Sequence, residues 1–323
     1  MDIDYVAEIL EGSPLAVARV ITWLENEDER ARSCMKGIYP HTGNAYILGI
    51  TGSPGTGKST LTDGVTYQLR NKDLTVGIVA VDPSSPFTGG ALLGDRIRMT
   101  RHSEDRGVFM RSMATRGYLG GLAQFSRGAV KVLDASGKDF VIIETVGVGQ
   151  DEVDVMRVAD TTCVVLVPGL GDVIQSMKAG IMEIADVYVI NKYDQPGADQ
   201  LFSEVRFRVD QDASIKDREW VPPVIPTVAV EGKGEDDLLE AITAHRTYLE
   251  QSGKLLEKRR NRVHEETLQM IHHELFRLIR HRLAEDRRID KMVEEIMAHT
   301  LSPYNVVEKV VDEWVPQAKK KKT

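Results

Sequence analysis

The middle of the chain alternates short, continuous apolar runs with stretches of helical spacing. Between residues 44 and 250 these runs are AYILGIT, TVGIVAV, FVIIET, TTCVVLV, DVYVIN and PVIPTV. Because their apolar positions are mostly continuous rather than alternating, each run predicts a strand covered on both faces. Helical segments between the runs favour parallel neighbours, so the pattern predicts an α/β fold with a doubly wound, mostly parallel sheet.

The first part of the chain, residues 1–43, has a helical pattern and no strand signal. Ser13 followed by Pro14 is typical of a helix start, with a capping hydroxyl and a proline at the first helical position. Apolar residues then recur at helical spacing, at Leu15, Ala18 and Ile21 and at Ala16, Val20 and Leu24. We therefore predict an N-terminal helical region before the α/β domain of residues 44–250.

The last part, residues 251–323, also lacks a strand signal. A three-four-three spacing of apolar residues runs through heavily charged sequence and indicates a helical arm, with Leu268, Ile271, Leu275 and Leu278 as its seam. Two interpretations stay open: the helix packs on its own domain, or it pairs with a second copy. The basic tail Lys319–Lys322 is expected to be solvated, and its role is not determined by the sequence.

Composition narrows the class of protein. The formal net charge of −8 argues against broad nucleic-acid binding. The N-terminus resembles no secretory signal and no apolar run is long enough to span a membrane, so a cytoplasmic location is expected. The two cysteines, Cys34 and Cys163, form no metal-binding pair. The histidines of the arm lack neighbouring ligands and are expected to be exposed; they are His264, His272, His273 and His281.

A glycine-rich turn carries the strongest chemical signal. The strand AYILGIT leads into GSPGTGKST, residues 52–60, and then into a helical pattern. This is the phosphate-binding loop (P-loop) motif in its required strand–loop–helix setting. The glycines let backbone N–H groups face an anion, and the new helix adds its positive end. The predicted nucleotide-binding residues are Gly52, Ser53, Pro54, Gly55, Thr56, Gly57, Lys58, Ser59 and Thr60, with Lys58 on the outer phosphates.

Two later strand ends predict which base is bound. The segment VYVINKYD places Asn191, Lys192 and Asp194 after a strand, and an aspartate there can accept hydrogen bonds from the two donors on guanine that adenine lacks. The next strand ends in PTVAVEGKG, where Val228, Ala229 and Val230 would form a base loop. Guanine-binding proteins often have serine where Val228 stands, so this loop departs from their pattern, although the Ala229 amide remains.

Acidic residues at strand ends indicate a magnesium site. Asp82 ends one strand, Asp95 lies in a loop-to-helix segment, and Glu144 ends another strand. Together with the Ser59 hydroxyl they offer the hard oxygen ligands that Mg²⁺ prefers. Three carboxylates are too many for one small ion, so at least one is expected to act through water or to orient the attacking water. Asp82 and Glu144 are the candidate catalytic bases.

These segments together resemble the MeaB/ArgK family of P-loop GTPases, the chaperones associated with methylmalonyl-CoA mutase. The resemblance rests on GSPGTGKST, VAVDPSSPFTGGALLGDRIRM, MRSMATRGYLGGLA, ETVGVGQDEVD, PGLGDVIQSMKAGI and NKYD, in that order. It implies a homodimer that binds GTP and GDP with Mg²⁺ and couples GTP hydrolysis to loading, protecting or reactivating an adenosylcobalamin-dependent acyl-CoA mutase. No cobalamin-binding motif is present in the chain itself.

The resemblance also assigns switch segments. Asp82–Asp95 would be the first switch and the segment from Glu144 the second. The segment PGLGDVIQSMKAG matches a mobile element that senses the partner enzyme in the family, so Gln175 and Lys178 are candidates to reach the phosphates when a partner docks. No arginine can be assigned as a finger, although Arg111 and Arg116 lie in a resembling segment.

Other functions remain as alternatives. A protein kinase acting on transport binding proteins would need an acceptor site that the sequence does not reveal. A GTP-dependent metallochaperone would be expected to carry histidine-rich tails or Cys/His clusters, which are missing. A nucleotide-gated binding module would hydrolyse almost nothing.

Overall fold

The structure is a computed structural model that describes residues 3–82, 100–114, 121–145, 157–169, 184–216, 219–285 and 288–314. The chain divides into two compact units, Met1–Arg262 and Val263–Thr323. Within the described residues, no helix is long and apolar enough to cross a bilayer. The predicted division at residues 43 and 250 stays a prediction.

A parallel sheet forms the centre of the first unit. Its described strands are β1 Tyr46–Thr51, β2 Val76–Asp82, β3 Val108–Ala114, β4 Phe140–Thr145, β5 Thr161–Leu166, β6 Val187–Ile190 and β7 Val224–Pro226. Their order across the sheet is β3-β2-β4-β1-β5-β6-β7, and every pair of neighbours is parallel. The predicted doubly wound α/β fold is thereby confirmed. The carboxyl ends of all these strands meet at one edge.

The edge strand β3 was not predicted from the apolar pattern. Its sequence, VFMRSMA, is interrupted by Arg111 and Ser112. The strand pairs with β2 from Val76↔Val108 to Asp82↔Ala114, so the backbone is fully extended there. A polar side chain is tolerated at this edge because it has polar partners in the N-terminal helical region. Arg111 donates to Glu25 at 2.5 Å and to the Thr22 hydroxyl at 3.2 Å. The strand is therefore held partly by polar contacts that period counting cannot detect.

Helices flank the sheet in the first unit and make up the second unit within its described residues. The described α-helices are α1 Tyr5–Leu10, α2 Pro14–Glu25, α3 Glu29–Ile38, α4 Lys58–Arg70, α5 Gly121–Ala135, α6 Ala198–Lys216, α7 Glu235–Gln251, α8 Lys254–Glu285, α9 Arg288–Met297 and α10 Pro303–Trp314. Helix α2 starts where the sequence predicts, since the Ser13 hydroxyl accepts from the Ala16 amide at 3.4 Å. One apolar cluster joins α2, α5 and the strands β2 and β4, so the N-terminal helices share the core of the sheet.

The buried face of helix α2 is rotated from the predicted one. Ala16, Val17, Val20 and Ile21 are buried, whereas Leu15 is 74% exposed. Leu15 lies in the first turn of the helix, next to Pro14. A pattern of apolar positions does not by itself show which of two adjacent stripes meets the core.

The start of helix α8 is fastened to the amino-terminal edge of the sheet by a buried carboxylate. Asp160 has no exposed surface, and it accepts hydrogen bonds from Arg259 at 2.7 Å, Arg262 at 2.8 Å and the Ile47 amide at 3.0 Å. Arg259 also donates to the carbonyl groups of Gly43 and Ala45. Burial would raise the pKa of Asp160, but the Arg259 hydrogen bond and the two arginine charges outweigh burial and lower it.

The second unit is helical in its described residues and presents apolar side chains. Leu268, Ile271, Leu275 and Leu278, the predicted seam, are each about half exposed. The side chains of His264, His272 and His273 are exposed, as expected, and His281 lies outside the described side chains. Among the described residues, no group of three His, Cys, Asp or Glu side chains could hold a metal ion.

The Asp160 contact leads to a stability prediction. Replacing Arg259 with alanine (Arg259→Ala) leaves a buried carboxylate with one arginine and removes two hydrogen bonds to backbone carbonyls. We expect a loss of about 2–4 kcal/mol in the free energy of unfolding, because a buried ion pair that loses one partner is strongly destabilised. Chemical denaturation at neutral pH measures it.

The neighbouring exposed residue gives the control. Arg260→Ala should change the unfolding free energy by less than about 0.5 kcal/mol. Because the pKa of Asp160 is depressed in the folded chain, wild-type protein should lose this stabilisation as the pH falls below about 4. Equal stability of the two variants would contradict the assigned role of the ion pair.

Candidate functional site

The P-loop joins the end of the central strand β1 to helix α4. Lys58 is the first residue of α4 and is 5% exposed. Its ammonium group donates to the carbonyl oxygens of Gly52 at 2.7 Å and Ser53 at 2.9 Å, so it lies across the concave side of the loop. A cation held over a ring of backbone at a helix N-terminus provides the charge arrangement that a phosphate chain requires.

Two glycines of the loop are required by close contacts. Gly52 has φ +141°, and a β carbon there would overlap the Val165 carbonyl oxygen of β5. Gly57 has φ +90°, and its β carbon would overlap the Asn191 side-chain amide. Both positions therefore exclude other residues for reasons of space as well as conformation. The loop is seated directly against the ends of two neighbouring strands.

A buried amide links the P-loop to the base loop. Asn191, 2% exposed, follows strand β6. Its Nδ2 donates to the Thr56 carbonyl at 2.8 Å, and its Oδ1 accepts from the Thr227 hydroxyl and the Ala229 amide, both at 3.1 Å. One side chain thus links two loops, of which one follows the central strand β1 and the other follows the edge strand β7.

The predicted base-binding residues lie together at the same edge. Asp194 is exposed, and Lys192 before it has φ +56°, an uncommon value for a residue with a side chain. The base loop is closed by backbone hydrogen bonds between Val228 and Lys233 in both directions. Val228 and Ala229 are buried, whereas Val230 is 83% exposed. A small closed loop therefore exists although valine stands at the expected serine position.

Two of the residues that were predicted to bind a metal ion lie in contact with each other. The Ser59 hydroxyl donates to Glu144 Oε1 at 2.5 Å, and Glu144 is 6% exposed. Strand register places Glu144 beside Ile50 of β1 and Ala80 of β2, next to the P-loop. A buried carboxylate and a hydroxyl in contact are oxygen donors of the kind that bind Mg²⁺, so the residues present fit this ion.

Some of the predicted site residues lie partly or wholly outside the part of the chain that the structure describes. Asp82 is the last residue of β2, but its side chain lies outside the described part. Asp95, Gln175, Lys178 and Arg116 lie outside the described residues. Pro54, Gly55 and Thr60 are exposed on the P-loop and the first turn of α4. Arg111, which lies on strand β3, forms an ion pair with Glu25 of helix α2.

The apolar pattern of the sequence did not identify one residue of this site. Thr227 reads as part of the run PVIPTV, but its hydroxyl donates to Asn191 and its carbonyl oxygen accepts from the Tyr193 amide. Its only sequence signal is its position directly before the base loop. A threonine at the end of a buried strand commonly packs or bonds locally, so the pattern alone did not distinguish it.

The fold agrees with comparisons to known proteins. Residues 17–284 match the family profile described as methylmalonyl Co-A mutase-associated GTPase MeaB. The chain is a member of this family. It is also 36% identical to the GTPase ArgK of Escherichia coli over 79% of this chain and 78% of that protein. A Pyrococcus abyssi protein named as a GTPase is 48% identical over 96% of both chains.

Two further relatives extend the comparison. The crystal structure of an LAO/AO transport system kinase aligns with a TM-score of 0.69 and 27% identity over 97% of both chains. A fused isobutyryl-CoA mutase of Geobacillus kaustophilus is 35% identical over 70% of this chain, which corresponds to 22% of that protein. As a MeaB-family member, the chain is a P-loop GTPase, and its family binds GTP and GDP.

The link through Asn191 yields a binding prediction. Replacing Thr227 with valine, which is nearly the same shape, removes one donor to Asn191 Oδ1. We expect GDP affinity to fall about fivefold, the value of roughly one hydrogen bond, because the base loop is then less firmly held. Equilibrium titration with GDP measures the change.

A matched threonine serves as the control. Thr243 lies on helix α7, exposed, and its hydroxyl donates to the Leu239 carbonyl of its own helix. Thr243→Val should leave GDP affinity unchanged. If both variants bind GDP as wild type does, Thr227 does not support the base loop.

Proposed function

We propose that this MeaB-family GTPase hydrolyses GTP to GDP and phosphate in order to chaperone an adenosylcobalamin-dependent acyl-CoA mutase. The observation that carries the proposal is the relative in which a homologous segment is fused to isobutyryl-CoA mutase, together with the family description. A fused segment and its mutase stay at high effective concentration, which favours a working contact between the two. Methylmalonyl-CoA mutase and related acyl-CoA mutases are the partner candidates.

Nucleotide binding is assigned to the edge of the sheet where the loops meet. Backbone N–H groups of Gly52–Thr60 and the Lys58 ammonium would hold the phosphates, with Lys58 leaving its carbonyl partners for the outer phosphates. Asp194 would accept from the two guanine edge donors, and the Ala229 amide would face the base oxygen. The contact between Lys58 and two carbonyl oxygens supports this role, because it places the charge inside the loop.

The metal would be held by the Ser59 hydroxyl and Glu144, with Asp82 and Asp95 as further carboxylates or as ligands through water. Bound Mg²⁺ supplies positive charge that neutralises the phosphate oxygens during transfer. The 2.5 Å contact between Ser59 and Glu144 supports this assignment, since both groups already lie on one side of the P-loop.

Hydrolysis would proceed by in-line attack of water on the γ-phosphoryl group. Lys58 offsets the charge that develops on the transferred group, and the P-loop amides orient it. Asp82 or Glu144 would orient the attacking water. Gln175 and Lys178 would reach the phosphates when the mutase docks, so that resting turnover is slow and the partner accelerates it.

We also assign a homodimer to the second unit. Its seam residues, Leu268, Ile271, Leu275 and Leu278, are half exposed at the spacing of a helical seam. A second copy of the same helix offers an apolar stripe of matching period. We also propose a cytoplasmic location for the protein.

A second candidate function is phosphoryl transfer to a protein. It is favoured by the name of the structurally similar LAO/AO transport system kinase. Incubation with γ-labelled GTP and candidate transport binding proteins tests it. Label appearing on protein rather than as free phosphate would support the kinase and count against the hydrolase.

Base recognition by Asp194 predicts a change of nucleotide. Replacing Asp194 with asparagine (Asp194→Asn) removes the acceptor for the guanine 2-amino group but supplies a donor for the 2-carbonyl group of xanthine. We expect GTP affinity to fall about 100-fold or more, because the asparagine amide donor then faces a donor of the guanine edge, and XTP affinity to rise. Competitive titration with GTP, XTP and ATP measures both. Unchanged preference for GTP would exclude Asp194 from base recognition.

Partner-stimulated turnover tests the chaperone role. Addition of purified methylmalonyl-CoA or isobutyryl-CoA mutase should raise GTP turnover by about tenfold or more, because docking delivers additional charge to the phosphates. Lys178→Ala should keep resting GTP affinity and lose this stimulation. If no acyl-CoA mutase alters turnover, or if Lys178→Ala is stimulated normally, the proposed coupling is wrong.

A further inference from the structure

A short turn follows the predicted first switch segment in the sequence and packs against α4, the helix that begins at the P-loop. The turn, Thr100–His102, lies on helix α4, and the His102 side chain is buried. His102 Nε2 is 3.2 Å from the Asp63 carbonyl oxygen and 3.4 Å from Asp63 Oδ1. Since a carbonyl oxygen can only accept, the first contact is a hydrogen bond when Nε2 carries the proton.

Arg101 approaches the same aspartate from the side open to solvent. Its guanidinium lies 3.6 Å from Asp63 Oδ2 and 4.8 Å from the centre of the Tyr67 ring. Asp63 Oδ1 is buried and accepts no hydrogen bond from any described residue. A buried carboxylate oxygen without a donor depends on nearby positive charge, so Asp63 holds both residues of the turn.

A second buried carboxylate faces the same arginine. Glu235, 5% exposed, is the first residue of α7 and directly follows the base loop. Its carboxyl group lies so close to Gly64 of α4 that a β carbon at Gly64 would overlap it. Burial raises the pKa of Glu235, and the charge of Arg101 acts against that rise while Asp63 adds to it. Arg101 thus forms an ion pair with Asp63, and its charge also acts to lower the pKa of Glu235.

These contacts bring together three elements that each adjoin a nucleotide loop. Helix α4 begins at Lys58, five residues before Asp63, and α7 begins after the base loop. The turn follows residues 83–99, which include Asp95, and Asp95 is five residues from Thr100, within at most about 18 Å of extended chain. The anchor cluster, Asp63, Arg101, His102 and Glu235, therefore limits where that segment re-enters the fold.

We infer that the anchor cluster, which holds the Thr100–His102 turn against helix α4, is a set of positioning residues for GTP hydrolysis. The inference rests on the proposed function, in which Asp95 serves the magnesium site. None of the four residues belongs to the assigned nucleotide-binding set. Their loss should therefore slow the chemical step while leaving GDP binding intact, because misplacement of about 1 Å can cost large factors in rate.

The test compares single-turnover hydrolysis at saturating GTP with the dissociation constant for GDP, using full-length protein. Arg101→Met and Asp63→Asn should each slow hydrolysis roughly tenfold and change GDP affinity less than about twofold. The double variant should be slowed by less than the product of the two single effects, since both substitutions remove the shared ion pair between Arg101 and Asp63. Arg106→Met, an exposed arginine on the same connection, is the matched control.

Each outcome decides the inference. Wild-type rates in both single variants would overturn it, as would equal loss of rate and GDP binding, which indicates a general structural role. Additive effects in the double variant would also overturn it. If Arg101→Met fails to fold, Asp63→Asn, which keeps the shape of the side chain, carries the test. Wild-type protein that binds no guanine nucleotide would refute the proposed function itself, whereas unchanged variants of an active enzyme refute only the anchor.

Discussion

One buried amide joins the P-loop to the base loop. The P-loop follows β1 and the base loop follows β7, and these strands are three positions apart in the sheet, about 14 Å. Asn191, at the end of the intervening β6, donates to the Thr56 carbonyl and accepts from Thr227 and Ala229. An amide offers a donor and an acceptor on one planar group, which a carboxylate or a hydrocarbon of similar size cannot do. It therefore bonds directly to both loops across this distance.

At the carboxyl edge of the sheet the packing is so close that only glycine fits at two positions. Gly52 lies against the carbonyl of Val165, and Gly57 against the Asn191 amide. These contacts place the P-loop backbone directly over the strand ends, with Lys58 across its concave side. The geometry that serves phosphate binding is therefore a consequence of strand packing, and substitutions in either partner should disturb both.

Local motifs were predictable from the sequence, and long-range contacts were not. The P-loop and the NKYD segment are short stretches whose chemistry is fixed by adjacent residues, so their order along a parallel sheet placed them at one edge. Strand β3 was missed because Arg111 and Ser112 interrupt its apolar pattern. The Asp160 ion pair with Arg259 joins residues 99 positions apart, and no periodicity indicates such a partner. The role of Thr227 was hidden for the same reason, since its bond to Asn191 spans 36 positions.

The central claim is that the loops held by Asn191 bind guanine nucleotides in preference to adenine nucleotides. The most direct measurement is calorimetric titration of nucleotide-free, full-length protein with GDP and, separately, with ADP in the presence of Mg²⁺. Our account predicts that GDP binds at least about 1,000-fold more tightly, because ADP would leave the Asp194 carboxylate without its two donors. Equal affinity for the two nucleotides, or tighter binding of ADP, would contradict it.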